Sequence, residues 1–153
     1  MSSIRQNIVT AAVTRMKLIN GTGGYTSNVN NHVEDSRTNW DESELPAISI
    51  FDGDAGVPDA IAFDKETKVL QTMPLVIKGY VKQGTDAATV RALVTDIWTA
   101  IRTDPDWTGV SGVGLTRHVR DSIQRVEGSY EIDGCEVEIE ILFATPKFSA
   151  SAS

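Results

Sequence analysis

The chain has 153 residues, 41% apolar and 23% charged, with a formal net charge of −7. That length and balance fit one soluble globular domain with its own core. The negative charge argues against free-standing nucleic-acid binding, which depends on cations set against phosphates.

Residues 3–20 read as an amphipathic helix, because Ile4, Ile8, Ala12, Met16 and Ile19 recur at spacings of three and four. Ser3-x-x-Gln6 suggests a capping box at its start, and Asn20-Gly21 a stop at its end. A polar strand is expected over residues 25–33, and a clear one over residues 45–51, which opens with Pro46 at an edge position. Residues 52–68 form a long acidic loop. Residues 69–82 make the next strand, with Leu75 and Ile77 facing the core and Gly79 marking a bulge. Asp86 caps a second helix running to about Arg102, with Val90, Leu93, Val94, Ile97, Trp98 and Ile101 as its apolar stripe.

The remainder reads as a long strand over residues 115–132, bent near Arg125 and Val126, then a return strand over residues 137–143. Asp133-Gly134 is the dipeptide favoured by a type I′ turn. Such a turn pairs Ile132 with Cys135, Tyr130 with Val137, Gly128 with Ile139 and Val126 with Ile141. It also gathers Glu127, Glu131, Glu136, Glu138 and Glu140 on the opposite face, where like charges repel. The expected fold is α+β: a mostly antiparallel sheet with two helices on one face, in the order α-β-β-β-α-β-β. Residues 1–148 form the domain and the Ser/Ala-rich residues 149–153 a disordered tail.

Chemistry is sparse. One cysteine, Cys135, rules out an internal disulfide, and nucleophilic catalysis would need it to meet His32 or His118. Gly21-x-Gly23 and Gly112-x-Gly114 lack the third glycine and the strand-to-helix context of a dinucleotide fingerprint. An EF-hand loop from Asp52 would need glycine at Val57 and glutamate at Phe63. No zinc spacing occurs, so neither cofactor nor metal is expected. The glutamate row suits a solvated strand face or a deliberate electrostatic surface better than a facing pair of catalytic carboxylates. Trp98 and Trp107 belong to the core and a packed corner, whereas Trp40, in a polar stretch, is an exposed interface candidate. The first seven residues lack the apolar run of a signal peptide, and no segment approaches transmembrane length. A soluble cytosolic product with no membrane partner is the expectation.

The opening helix from Ile4 to Ile19, the Leu45-Pro46-Ala47-Ile48-Ser49-Ile50-Phe51 strand, the Asp86 to Arg102 helix, its Asp104-Pro105-Asp106-Trp107-Thr108-Gly109 exit and the closing strand from Val137 to Phe143 resemble, in that order, the tail terminator (tail completion) proteins of long-tailed bacteriophages. The resemblance covers residues 3 to about 145. It implies a structural virion protein, assembled in the host cytoplasm, that forms a ring, typically a hexamer, at the head-proximal end of the tail. There it ends tube polymerisation and receives the head. The implied partners are further copies of the chain, the tail-tube protein and the head connector or head-completion protein. Genomic DNA passes through without specific binding, and no enzymatic reaction is implied.

In such a ring the five glutamates line the lumen or meet a neighbour's Arg117, Arg120 and Arg125. Trp40 and the 52–68 loop, with Asp52, Asp54 and Asp59, supply further contacts. Another neck or head–tail joining protein, or a small acidic ligand-binding or hydrolase domain, are the competing readings.

Overall fold

Alternation along the last strand divides the molecule. In the computed structural model, which describes residues 3–29, 31–54, 68–104, 107, 110 and 112–146, Cys135, Val137, Ile139, Ile141 and Phe143 are buried while Glu136, Glu138 and Glu140 turn the other way. The elements are α1 (Ile4–Met16), β1 (Val33–Asp35), a 3-10 turn (Glu42–Glu44), β2 (Ala47–Asp52), β3 (Lys68–Tyr80), α2 (Ala87–Thr103), β4 (Val113–Arg125) and β5 (Ile132–Pro146). The sheet order is β1-β2-β3-β5-β4, with β1 and β2 parallel and every other pair antiparallel. The α+β class and the expected succession of elements hold. Both helices pack on one face, α1 against β1 and β2, α2 against β3, β4 and β5. Ile8, Ala12, Met16, Ile48, Ile50, Leu75, Ile77, Leu93, Ile97, Val137 and Ile139 join in one core between the layers.

α2 follows its sequence closely. The Asp86 carboxylate accepts the Thr89 N–H at 3.2 Å, and Val90, Leu93, Ile97 and Ile101 lie buried along one stripe. The two ionised-state hydrogen bonds from Thr89 hold the Asp86 carboxyl below its ordinary value. In α1 only half of the expected capping box forms. Ser3 accepts the Gln6 N–H at 3.0 Å, but the Gln6 side chain turns forward to Thr10. The helix also ends earlier than Asn20. After Met16 the chain tightens into i→i+3 bonds, Leu18 to Arg15 and Ile19 to Met16. Ile19 is still buried, and its carbonyl accepts the Val29 N–H at 3.0 Å.

That crossing displaces the strand expected over residues 25–33, of which only Val33 is in β1. Asp96 of α2, 3% exposed, accepts the Thr26 and Ser27 N–H groups at 3.2 and 2.6 Å. Hydrogen bonds to a carboxylate are stronger than those of a neutral ladder, so this segment docks on a helix.

The C-terminal hairpin differs most. Asp133 and Gly134 are not a turn; they lie inside β5, where Gly134 faces Tyr80 on one side and Gln124 on the other. The reversal sits at residues 126–131, where the expected long strand was to bend. It closes through Val126 N–H to Glu131 at 2.9 Å, with Gly128 at φ +75°. Ile123 consequently opposes Cys135 and Asp121 opposes Val137. In the other register Tyr130 and Gly128 would have faced Val137 and Ile139; Tyr130 is instead 95% exposed. Long pairing of β3 with β5, from Lys68 with Pro146 to Tyr80 with Gly134, overrides the local preference of the dipeptide. Gly79 is not a bulge either, since β3 and β5 keep register through it. Its missing side chain makes room for Cys135 and Leu93.

Candidate interaction surface

Among the described residues, no helix packs on the other face of the sheet. On it the β5 carboxylates meet cations of the flanking strands. Arg117 pairs with Glu140 and Arg120 with Glu138, each at 2.9 Å, and Lys78 stands opposite Glu136 in the β3 register. The face is therefore a ladder of three acids and three bases belonging to one chain, which removes the like-charge penalty of a purely acidic strip. Glu127 and Glu131 are not part of it; both are exposed in the 126–131 turn, and Glu131 accepts a hydrogen bond from Gln83. Arg125 ends β4, exposed.

Trp40 is not an exposed anchor. The segment between β1 and β2 folds over the end of the open face, and the Trp40 indole N–H donates to Ser49 Oγ at 2.8 Å. Ser49 in turn donates to the Arg37 carbonyl at 2.6 Å, and the Arg37 guanidinium lies 4.0 Å over the Trp40 ring. Arg37 also pairs with Glu34 and Glu44. The Asp41 N–H, foremost, and Arg37 hold the Glu44 carboxyl below its ordinary value.

The other two tryptophans fasten the outermost strand to the helical layer. Trp98 donates to Asp121 at 2.9 Å and packs on the His118 ring, with centroids 3.6 Å apart. Trp107 donates to Thr116 at 2.6 Å. Its other side carries Arg15, which lies 4.4 Å over the ring and bonds the Asp104 carbonyl and carboxylate at 2.8 and 3.1 Å. Polar residues on the inner face of β4 are thus explained by indole partners, a signal that alternation of apolar residues does not carry.

Of the loop carboxylates, Asp52 is held by the Arg5 guanidinium, which also reaches the Gly53 carbonyl. Asp54 is exposed, and Asp59 lies outside the described residues. The cation that a calcium site would need at Asp52 is supplied by the protein itself. Among the described residues no group of three or more His, Cys, Asp or Glu side chains converges as metal ligands.

Cys135 is fully buried against Gly79, and burial pushes its thiol up to about 12. His118 faces Ile139, about 13 Å further along β5, and His32 bonds the Glu44 carbonyl. Neither histidine is placed as a base for the thiol. The same burial sets a pH dependence. The unfolded thiol ionises near its ordinary 9.0, whereas the folded one keeps its proton to about 12. The folded state binds the extra proton, so this contribution is constant below pH 9 and is lost as pH rises from 9 towards 12. The loss is about 1.4 kcal/mol per pH unit. Urea midpoints measured at about pH 8 and about pH 10.5 should fall more for the wild type than for Cys135→Ala; equal slopes would contradict the assignment.

The concave features are modest. A groove of about 440 Å³ runs between α2 and residues 26–28, lined by groups such as Pro46, Val81, Ala92 and Leu93, and none of its lining residues is titratable. No helix is long and apolar enough to cross a membrane, among the described residues. The chain matches no protein-family model and no curated protein at a significant level. Its surfaces have to be read from their own chemistry.

Proposed function

We propose that this chain is a structural ring subunit of the tail-terminator kind, capping a tail tube, ending its polymerisation and receiving the head connector. The observation that supports the reading is a sheet that, among the described residues, is covered by helices on one face only, bounded by the 13-residue outer strand β4. Leu115 and Val119 on that strand are 56% and 39% exposed. A long outer strand with exposed apolar residues asks for a neighbour. A ring subunit also needs surfaces for neighbours as well as axial ones for tube and connector. The open face away from β4, where Lys78 stands opposite Glu136, suits an axial contact, because electrostatic patterning favours a matched partner over others. DNA passing through such a ring meets a protein of net charge −7 and is not retained.

Negative-stain microscopy of the purified protein, mixed with tubes of the same particle's tail-tube protein, tests this. Rings on one end of each tube, with tube growth halted, are the expected result. Rings that ignore tubes but bind the connector would move the protein to the neck of the particle. A chain that stays monomeric and indifferent to both would sink the reading.

A further inference from the structure

The two edges of the sheet carry opposite charge. Among the described residues β4 pairs only with β5 and closes the sheet on one side, and β1 closes it on the other. β1 and the segment after it, up to residue 44, hold five carboxylates (Glu34, Asp35, Asp41, Glu42 and Glu44) against the single arginine Arg37. Arg37 engages Glu34 and Glu44; Asp35, Asp41 and Glu42 remain exposed and form no ion pair among the described residues. β4 has the reverse balance, with Arg117, Arg120 and Arg125 against the single carboxylate Asp121. The Arg117 and Arg120 side chains are 67% and 70% exposed, and each reaches its β5 glutamate through Nη2 at 2.9 Å. A guanidinium carries five N–H donors, and side chains this exposed are accessible to a second carboxylate.

We propose that the β4 edge of one copy of this chain docks on the acidic β1 edge, residues 33–44, of a second copy. The inference rests on the ring reading and names the surfaces by which neighbours would join. Because the two edges lie at opposite ends of one sheet, the contact is heterologous. Each copy gives one edge and receives the other, and the assembly extends until its rotation closes. The β4–β5 register shifts between Val113 and Leu115 and between His118 and Arg120. Bulges of this kind discourage continuation of a sheet into the next molecule. Side chains therefore carry the contact, guanidinium against carboxylate, around the apolar Leu115 and Val119.

Two variants test it by sedimentation velocity and on tube ends. Arg117→Glu with Arg120→Glu makes both edges acidic; Asp35→Lys, Asp41→Lys and Glu42→Lys together make both edges basic, leaving only Glu34 and Glu44 as carboxylates in residues 33–44. Each alone should lose self-association at least tenfold relative to wild type, and an equimolar mixture should regain it in alternating assemblies. Circular dichroism checks that both fold. Arg117→Gln with Arg120→Gln keeps amide donors for the β5 glutamates and should also weaken association. If either reversed variant assembles as wild type does, or the two folded variants stay apart when mixed, the proposed contact is wrong while wild-type rings would leave the ring reading intact. A wild-type chain that never assembles, in solution or on tubes, overturns both.

Discussion

Gly134→Ala is expected to lower stability by about 3 kcal/mol or more, one of the largest losses available to a single methyl group here. Gly134 is buried in β5, and a Cβ there would run into the carbonyl oxygen of Gly79 on β3. Backbone meets backbone, so no side-chain rotation relieves the clash; the sheet itself must open. Gly79→Ala offers the contrast. Its Cβ would come within 2.7 Å of Cys135 Sγ and 2.8 Å of Leu93 Cδ2, side-chain atoms that can yield in part. Urea denaturation should therefore rank Gly134→Ala well below Gly79→Ala, and both below wild type. A neutral Gly134→Ala would contradict the register of β3 on β5, and with it the displacement of the turn from Asp133-Gly134 to residues 126–131.

Asp96→Ala should remove a comparable amount, about 2–4 kcal/mol, by a different route. The carboxylate is buried and accepts two backbone N–H groups from Thr26 and Ser27. Truncation leaves both donors without their partner, and each unsatisfied buried donor costs about 1–3 kcal/mol. Asp96→Asn keeps only one acceptor oxygen and turns a donor towards a donor, so it should recover little. Hydrogen exchange at the Thr26 and Ser27 amides gives the local readout: exchange should quicken sharply in both variants, while amides in the centre of β3 follow only the global change. Unchanged protection at those two amides would show that the segment is held by something other than the carboxylate.

These two positions also mark what the sequence could and could not reveal. α2 was legible because its cap, Asp86, and its stripe, Val90, Leu93, Ile97 and Ile101, agree with one another at short range. The inward set of β5, Val137, Ile139 and Ile141, was legible for the same reason. The segment over residues 25–33 was not, because its backbone partner is a carboxylate about 70 residues away, invisible to periodicity. Asp133-Gly134 misled because a dipeptide rich in turn propensity is equally what two crowded strands need where one must lack a side chain. The glutamates at 136, 138 and 140 were placed correctly on one face, but their cations come from β3 and β4, and alternation within a single strand cannot report its neighbours. Of the candidate interface residues, Arg117 and Arg120 are brought to Glu140 and Glu138, whereas Glu127, Glu131, Trp40 and Asp52 are dispersed over other parts of the molecule.

The three tryptophans have a practical consequence. Each indole N–H crosses from one part of the fold to another: Trp40 from the β1–β2 segment to Ser49, Trp98 from α2 to Asp121, and Trp107 from the exit of α2 to Thr116. Each ring also lies against a different polar group, Arg37, His118 or Arg15. The emission of the protein is thus a sum over three separate joints between the sheet and what covers it. Single Trp→Phe replacements would resolve that sum into local optical reporters, one for the strap over the open face and two for the attachment of the outermost strand.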